Sequence, residues 1–493
     1  MEVEESQTPI QNFYAEQSIL ITGSTGFLGK VLIEKLLRSC PDISTLYLLI
    51  RSKNTCPESR LNDMLNIPLY DRVKREVPNF RKKIVLITSN LDTEDFGLAE
   101  SDKSILISKV SIIFHIAGNV RFTENIKTAT TININAVDTI LKLAKQMPNL
   151  KSLIHVSTAY ANCHIDHIEE RLYSYPINHK SLIMITRDLS ENMIKKKISR
   201  IISIWPNSYT FTKAIAEGLI REECEDLQVG IFRPGMVTCS ANEPFAGWID
   251  NKYGPIGFLA SIMCGFTRFL RCNSDHKANI VPVDFTVNAL IASAWDVYKQ
   301  CRKGKDMLIY NFVSPIDGPT WNEYLLRHVY LTKIYPMRNA IYFPLLFLLK
   351  HKISYKICVW FCHFLPALLM DAVYICIGRS PRMWKIYVKI DQYYKVTQLF
   401  CNKEWNFSTD NVQAMWDHLD KRDQQLFQFN MMGFNWTKYL TDHYLGIRHY
   451  LFKENDSTLK ISRLKHKRFY WVHQIIKIIF IFVILWIISI IFT

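Results

Sequence analysis

The stretch Ser18-Ile-Leu-Ile-Thr-Gly23-Ser-Thr-Gly26-Phe-Leu-Gly29-Lys30 decides the fold of this chain. An apolar run of strand length leads into three glycines spaced three residues apart, and a helical pattern follows them. Gly23 permits a tight turn, Gly26 allows a phosphate to approach the backbone, and Gly29 lets the helix pack on the strand. The stretch therefore predicts a strand, a phosphate-binding turn and a helix N-terminus that together hold a dinucleotide.

Further short apolar runs alternate with amphipathic stretches such as Lys30–Leu37 and Ala136–Met147 through the first half of the chain. Buried strands separated by helices form a parallel sheet that is covered by helices on both faces. We therefore predict an α/β fold with a Rossmann-type, doubly wound parallel sheet. The predicted strands are Ser18–Thr22, Leu46–Ile50, Ile84–Thr88, Ser111–His115, Leu153–Ser157 and Val229–Phe232.

The composition changes from about Asn339 onward. Ile341–Leu349 and Ile357–Met370 are apolar and rich in aromatic residues, but lysines, histidines and Pro366 interrupt them. Neither run reaches the length of a spanning helix, which is about 20 residues. We predict a mostly helical C-terminal domain that is buried or lies on a membrane surface.

The chain has 493 residues, of which 48% are hydrophobic and 21% are charged, and this composition excludes a disordered or fibrous protein. The net charge of +15 suits nucleic acid, an anionic membrane or a phosphorylated ligand, and does not choose among them. The 12 cysteines include no C-x-x-C pair, so we expect reduced thiols and no metal site. Residues 1–15 are expected to be a tail without a secretory signal.

The last residues of the chain have the character of a membrane anchor. Ile478–Phe492 contains no charged residue, and the basic cluster Lys465–Arg468 precedes it. Because positive residues stay on the cytoplasmic side, we predict a C-terminal transmembrane helix over residues 469–493, with the rest of the chain in the cytosol. The alternative is a buried core helix. The endoplasmic reticulum and the peroxisome both fit such an anchor, and we expect the former.

Basic residues follow the second predicted strand, where NAD-specific proteins place an acidic residue on the ribose hydroxyls. In this chain Arg51 follows the strand directly, and Lys53 comes two residues later. A cation there would bind the 2′-phosphate, so we predict NADPH rather than NADH as the cofactor. The alternative is an ordinary solvated loop.

Tyr209 and Lys213 lie four residues apart in the helix predicted after Pro206, so both side chains project from one face. An ammonium group beside a phenol favours phenolate, and we expect Lys213 to lower the pKa of Tyr209 from about 10 toward neutrality. Such a phenol can give a proton to a carbonyl oxygen that receives a hydride. The spacing recurs at Tyr70 and Lys74, but that pair lies away from the predicted ligand crevice.

Two hydroxyl residues, Ser157 and Thr158, stand at the end of the fifth predicted strand. Their side chains would face opposite sides if the strand continued. We expect Thr158 to bind the substrate carbonyl and to orient Tyr209, and we expect Ser157 to have a structural role.

These motifs resemble the extended short-chain dehydrogenase/reductase pattern, and more narrowly the fatty acyl-CoA reductases, in particular the insect-type members. The similarity runs from about Ile19 to Leu451. The residues that carry it are Thr22–Lys30 (TGSTGFLGK), Phe114–Ala117, His155–Tyr160, Tyr209-x-x-x-Lys213, Arg233-Pro234, Glu243–Pro255 (EP-x-x-GWIDN-x-x-GP), His363–Asp371, Trp436–Tyr439 and Gly446–Tyr450.

The resemblance implies NADPH-dependent reduction of a long-chain acyl-CoA to a primary alcohol through an aldehyde, with release of CoA. It assigns proton donation to Tyr209, oxyanion binding to Thr158, and both phenol activation and ribose binding to Lys213. Where relatives commonly have Gly-Asp, this chain has Ser89-Asn90, and Asn90 can still bind adenine. The implied cofactor-binding residues are Gly23, Ser24, Thr25, Gly26, Phe27, Leu28, Gly29, Arg51, Lys53, Asn90, Ala117 and Lys213.

The implied organisation is an NADP-binding reductase domain over residues 16–335, with substrate-binding insertions, and a helical domain over residues 336–460. The expected partners are long-chain acyl-CoA and membrane lipid, with a homodimer possible and no nucleic acid. Two other classes stay open: a membrane-anchored alcohol or sterol dehydrogenase of the same superfamily, and a catalytically weak scaffold. The strings at Glu243–Pro255 and His363–Asp371 argue against the dehydrogenase, and intact Tyr209, Lys213 and Gly23 argue against the scaffold.

Overall fold

A computed structural model describes residues 7–52, 55–90, 93–301 and 307–492. The strands, in chain order, are β1 (Ser18–Thr22), β2 (Thr45–Arg51), β3 (Ile84–Ser89), β4 (Ile112–His115), β5 (Ser152–Val156), β6 (His167–Ile168), β7 (Val229–Pro234), β8 (Met236–Thr238), β9 (Phe269–Arg271), β10 (Ile280–Pro282), β11 (Leu308–Phe312), β12 (Phe347–Leu349) and β13 (Asn406–Phe407).

The helices of the first 300 residues are α1 (Pro9–Tyr14), α2 (Phe27–Ser39), α3 (Pro57–Leu65), α4 (Asp71–Glu76), α5 (Glu100–Lys109), α6 (Ile126–Thr130), α7 (Ala136–Ala144), α8 (His179–Asp188), α9 (Glu191–Ile202), α10 (Ser208–Glu223), α11 (Pro255–Met263) and α12 (Val283–Gln300). Those that follow are α13 (Trp321–Ile334), α14 (Lys352–Val359), α15 (Leu365–Cys376), α16 (Met383–Asn402), α17 (Asp410–Asp417), α18 (Lys421–Leu426), α19 (Trp436–Gly446) and α20 (Leu459–Phe492).

Seven strands form one sheet in the order β3-β2-β1-β4-β5-β7-β11, and every neighbouring pair is parallel. The order reverses between β1 and β4, which is the doubly wound arrangement. The predicted Rossmann-type sheet and all six predicted strands are therefore confirmed. The seventh strand, β11, was missed, although its fully buried run Leu308–Phe312 has the length and composition of a core strand.

The described residues form two compact units that alternate along the sequence. The first contains the residues up to Trp248 together with Asn279–Asp317 and Trp405–Phe434. The last of these segments comes late in the chain yet belongs to the sheet unit, where the Asn411 side-chain amide donates to the Ile309 carbonyl at 2.8 Å. The domain limits at residues 335, 336 and 460 stay predictions.

The second unit contains Ile249–Ala278, Gly318–Glu404 and the described residues from Asn435 onward, and it is mainly helical. This confirms the predicted helical C-terminal part. Its α20 is continuous over 34 residues, and the beginning of that helix packs on the unit. Phe343 stacks on His473 with ring centroids 5.5 Å apart, and the Tyr342 hydroxyl lies 3.0 Å from His473 Nδ1.

The motif His363–Asp371 stabilises the second unit. The His363 Nε2 atom accepts the backbone N–H of Arg268 at 3.1 Å. Asp371 accepts the backbone N–H groups of Arg382, Met383 and Trp384 at 2.8–2.9 Å, where α16 begins. A carboxylate at a helix N-terminus compensates amides that have no partner within the helix. Both residues of the motif therefore have a structural contact in this fold.

Among the described residues, one helical stretch is long and apolar enough to cross a membrane by length and composition, and it is Lys352–Cys376. From the sequence, Ile357–Met370 is too short for a spanning helix, because Lys356 precedes the run and Pro366 interrupts it. In the structure α14, a wide turn over Trp360–Phe364 and α15 join into one continuous stretch. Several side chains of the predicted anchor at 469–493 fall outside the described residues, so this finding does not cover the anchor.

Candidate active site

The glycine turn after β1 has the close contacts that the sequence predicts. Gly23 has φ +71°, and a Cβ atom there would lie 2.8 Å from the backbone nitrogen of Ala117. A Cβ atom at Gly29 would lie 2.3 Å from the Gly23 carbonyl oxygen. Gly26 is exposed and precedes α2 without a side chain to cap it. The turn thus leaves an open helix N-terminus that fits a pyrophosphate.

The side chains between these glycines mostly stabilise the turn itself. The Ser24 hydroxyl is buried and donates to the Leu49 carbonyl of β2 at 3.1 Å. Phe27 stacks on Trp248 with ring centroids 5.4 Å apart. Leu28 is half-buried at the start of α2. For Ser24 and Phe27 the structure therefore shows contacts within the protein, and backbone groups remain the part of the turn best suited to a ligand.

Two guanidinium groups lie near the end of β2: Arg51 on the strand itself and Arg60 on α3. Arg60 donates to the backbone carbonyl of Arg51 and, through Nη2, to the Thr25 hydroxyl at 3.2 Å. Burial, and secondly the neighbouring Arg51 charge, lowers the pKa of Arg60. Two cations thus lie beside the glycine turn, and an anion between them would relieve their repulsion. Lys53 lies outside the described residues.

Asn90 and Ala117 follow the ends of β3 and β4. The Asn90 backbone N–H donates to the Phe96 carbonyl at 2.7 Å. The Ala117 N–H donates to the Thr22 hydroxyl at 3.1 Å, which fixes the chain after β4 against the end of β1. Parallel strands end at the same edge of a sheet. The predicted site residues that follow β1, β2, β3, β4 and β5 therefore lie at one edge, which is where doubly wound folds bind nucleotides. We call it the nucleotide edge.

The predicted catalytic residues come together at the same edge. Asn207 caps α10 by accepting the Thr210 N–H at 2.9 Å, so Tyr209 lies in the first turn of that helix. The Thr158 hydroxyl is near enough to the Tyr209 phenol to lower its pKa as a hydrogen-bond partner. One turn further along, the Lys213 ammonium donates to the Val156 carbonyl at the end of β5, at 2.7 Å.

The expected lowering of the Tyr209 pKa is not found in this structure. Burial raises the pKa of the phenol to about 12, and the hydrogen bond with Thr158 acts in the opposite direction. Burial also lowers the pKa of Lys213 to about 8, although the Glu217 carboxylate acts to raise it. The sequence argument considered only the charge of Lys213 and omitted desolvation, which is the larger cause for both groups.

A buried ion pair holds α10, the helix that carries Tyr209 and Lys213, to the sheet. Glu217 of α10 and Arg233 of β7 are fully buried and 2.7 Å apart. Glu217 also accepts the Ser157 hydroxyl at 2.6 Å and the Tyr175 hydroxyl at 3.1 Å. Arg233 in turn donates to the Glu169 carbonyl at 3.1 Å. Ser157 therefore faces the ion pair, while its neighbour Thr158 contacts Tyr209.

Two buried histidines lie next to Lys213. His115 of β4 and His155 of β5 stack with ring centroids 5.4 Å apart. Burial, and secondly the Lys213 charge, lowers the pKa of His115 to about 3 and the pKa of His155 well below its ordinary value. His115 Nδ1 lies 2.9 Å from the Thr22 hydroxyl, which also accepts the Ala117 N–H. Both imidazoles are neutral and add no charge to the site.

Comparison with family models and with known proteins gives matches over most of the chain. The family model described as "Male sterility protein" matches residues 21–290 in its NAD-binding part and residues 362–454 in its Sterile part. The chain is 38% identical over 469 residues to the fatty acyl-CoA reductase wat of Drosophila melanogaster, which covers 95% of this chain and 90% of the relative. The chain belongs to the fatty acyl-CoA reductase family.

Other members of this family are similar over the same length. Fatty acyl-CoA reductase 1 of Mus musculus is 36% identical over 459 residues, which is 93% of this chain and 88% of the relative. Fatty acyl-CoA reductase 2 of Homo sapiens is 33% identical over 468 residues, which is 94% of this chain and 90% of the relative.

Solved reductase domains share the fold. The terminal R domain of the myxalamid PKS-NRPS biosynthetic pathway superposes with a TM-score of 0.56 at 17% identity, covering 89% of this chain and 92% of that one. The reductase domain of a non-ribosomal peptide synthetase from Mycobacterium tuberculosis gives a TM-score of 0.54 at 15% identity, with 90% and 92% covered.

Sequence reasoning missed three residues that shape this site: Arg60, Asn133 and Glu217. Asn133 accepts the Asn119 N–H at 2.7 Å and donates to Thr212 at 2.9 Å, which connects the loop after β4 with α10. Glu217 had a usable signal, because it lies one turn after Lys213 on a helix face that is otherwise apolar. Arg60 had none, because its contact with Thr25 depends on how α3 returns to the glycine turn.

We expect Glu217→Gln to lower the free energy of unfolding by about 3–5 kcal/mol, because it leaves the Arg233 charge buried without its partner. The matched control is Glu222→Gln on the same helix, where the exposed position should change stability by less than about 0.5 kcal/mol. Denaturant unfolding of the detergent-solubilised protein measures both. Equal stability of the two variants would show that the ion pair does not hold α10 in place.

Proposed function

We propose that this protein reduces long-chain fatty acyl-CoA to the primary fatty alcohol with NADPH as the reductant, and that Tyr209, Lys213 and Thr158 are its catalytic residues. Family membership over nearly the whole chain supports the substrate class and the reaction. The observation that carries the residue assignment is geometric: Lys213, one turn after Tyr209 on α10, donates to the Val156 carbonyl two residues before Thr158, at the strand edge beside the glycine turn.

The residues of the nucleotide edge fit a nicotinamide dinucleotide. Gly23 and Gly29 leave room that a Cβ atom would fill, and Gly26 exposes the start of α2 to a pyrophosphate. Each NADPH would supply one hydride when bound, so the first would take the thioester carbon to the aldehyde with loss of CoA thiolate, and a second would take the aldehyde to the alcohol. Asn90 and Ala117 are the proposed contacts on the neighbouring strand ends.

The chain's own residues stabilise charge on the substrate oxygen. The Thr158 hydroxyl donates a hydrogen bond to that oxygen, and the Tyr209 phenol gives it a proton. Lys213 lies one helical turn away and is the proposed contact to the nicotinamide ribose. In the structure, Thr158 is the group that opposes the effect of burial on the Tyr209 pKa.

The Arg51 and Arg60 pair supports a preference for NADPH over NADH. A 2′-phosphate is a dianion, and guanidinium groups bind phosphate oxygens through paired hydrogen bonds. Arg60 is already held between Thr25 and the Arg51 carbonyl, so its orientation costs little entropy when the phosphate binds. Lys53 remains a candidate third cation.

Residues 469–493 are proposed as a single membrane anchor with the catalytic part in the cytosol, in the endoplasmic reticulum rather than the peroxisome. Support comes from the continuous α20 and the basic cluster Lys465–Arg468 before its apolar part. Contacts of Phe343 with Tyr470 and His473 attach the first turns of α20 to the second unit. The part after Gln474 is therefore the part proposed to enter lipid. A homodimer stays a prediction.

Tyr209→Phe is expected to lower kcat/KM by about 100-fold or more, since it removes the proton donor and keeps the ring. NADPH affinity should change little, because the phenol hydroxyl is assigned to the substrate. Product formation and NADPH fluorescence titration measure the two effects. Tyr330→Phe, on an exposed tyrosine of α13, is the matched control, and comparable turnover in both variants would remove Tyr209 from the mechanism.

Arg51→Asp is expected to weaken NADPH binding by about tenfold or more while NADH binding changes much less, because a phosphate contact becomes a repulsion. Arg60→Gln should shift the same preference in the same direction. Titrations with both nucleotides measure the ratio of dissociation constants. The exposed Lys82→Asp provides a charge-matched control, and an unchanged ratio in both arginine variants would assign the phosphate to other residues.

A chain ended after Gln474 should leave the membrane pellet after carbonate washing and keep its acyl-CoA reduction in detergent. This cut preserves the contacts of His473 and removes the apolar part of α20. Fractionation followed by immunoblot and product assay provides the measurement. Retention of the shortened chain in the washed pellet would contradict a single anchor.

A further inference from the structure

The stretch Lys352–Ile377 exposes an unusually large apolar surface on the second unit. Ile353 is 74% exposed, Phe361 60% and Ile375 62%. Soluble monomers rarely leave contiguous apolar patches of such size in water. We define the outer face as the exposed side chains Ile357, Trp360, Phe361, Leu368, Leu369 and Val373.

The opposite side of this stretch is fixed to the second unit along its length. Its buried residues follow each other at intervals of four: Val359, His363, Ala367 and Asp371. Two of them are polar and bonded to backbone N–H groups of the unit. A helix surrounded by lipid would carry those groups and their neighbours into hydrocarbon, which is costly. The stretch therefore lies on the unit and does not leave it to cross a bilayer.

Basic residues precede and follow the outer face along the sequence. Between Lys350 and Lys389 the sequence contains seven lysines and arginines, and Asp371 is the one acidic residue. Lys352 and Lys356 are exposed before the apolar part, and Arg379 and Arg382 are exposed after it. Apolar side chains bordered by cations are the pattern of helices that lie in the headgroup region of anionic membranes.

The same charge distribution argues against a second copy of this chain as the occupant. A symmetric dimer through the outer face would bring the basic border of one copy against that of the other, and such like-charge contacts are unfavourable. Trp360 and Trp384 are both exposed at this surface, and tryptophan is enriched at membrane–water interfaces. The pattern fits lipid better than protein.

This surface is also connected to the proposed anchor by a short segment of chain. Phe343 stacks on His473 in α20, and the stretch begins nine residues later, at Lys352. Nine residues span at most about 32 Å when extended. A bilayer that holds α20 is therefore close to the stretch.

We propose that Lys352–Ile377 lies in the interfacial layer of an anionic bilayer, with the outer face among acyl chains and the basic border among headgroups. This contact is a second, non-spanning attachment in addition to the anchor. It does not depend on the reduction chemistry or on the identity of the catalytic residues. Its role is to hold the second unit against the membrane from which long acyl chains partition.

The test uses the full chain in vesicles of phosphatidylcholine, with or without a quarter of phosphatidylserine. A benzophenone amino acid replaces Phe361 or, in a second variant, Leu369. The control places the same group at Tyr330, which is exposed on α13 outside this surface. After irradiation, mass spectrometry identifies what is joined to each position.

We expect phospholipid adducts at positions 361 and 369 in several-fold greater yield than at position 330, and more of them when phosphatidylserine is present. Lys352→Glu combined with Lys356→Glu should abolish the phosphatidylserine effect while the protein stays in the membrane. Three results would each overturn the proposal. They are crosslinking to a second copy of the chain, a lipid yield no higher than at position 330, and a lipid yield that does not depend on phosphatidylserine.

Discussion

The buried ion pair between Glu217 and Arg233 is the interaction on which the arrangement of the proposed catalytic residues depends. Both side chains are fully buried, and the desolvation of two charges is compensated only because each also forms further hydrogen bonds. Through Glu217 the pair fixes α10, which carries Tyr209 and Lys213. Through Ser157 it fixes the end of β5, where Thr158 follows. One polar contact thus holds in place both the helix that carries Tyr209 and the strand end that leads to Thr158.

The nucleotide edge is built on a different constraint, which is the absence of side chains. Gly23 and Gly29 approach backbone atoms so closely that any Cβ would collide, and this contact brings α2 onto β1. The side chains around the turn then serve the protein, as Ser24 does in bonding to Leu49. Charge enters from α3, whose Arg60 reaches back to Thr25. The glycine turn therefore determines the shape of the nucleotide edge, while α3 contributes positive charge to it.

The motifs singled out in the sequence have different roles in the two units. In the sheet unit, the motifs at the strand ends bring together Thr158, Tyr209 and Lys213, the proposed catalytic residues. In the helical unit, His363 and Asp371 bond to backbone N–H groups and fasten the stretch Lys352–Ile377 along one side. That fastening leaves the other side apolar and exposed, next to lysines and arginines. The motif His363–Asp371 thus has structural contacts, and these contacts leave an apolar surface exposed on the other side of the stretch.

The sequence by itself determined the sheet, six of its seven strands, the glycine turn and the placement of Tyr209 and Lys213 one turn apart on the same helix. These are local patterns, since strand runs, turn glycines and helical spacing each depend on a few neighbouring residues. The tertiary structure alone decided that Arg60 joins the nucleotide edge, that Trp405–Phe434 returns to the sheet unit and that Glu217 meets Arg233. It also decided the sign of the Tyr209 pKa shift, because burial depends on everything packed around the phenol. Contacts between residues distant in sequence and the desolvation they cause leave no periodic trace in the chain.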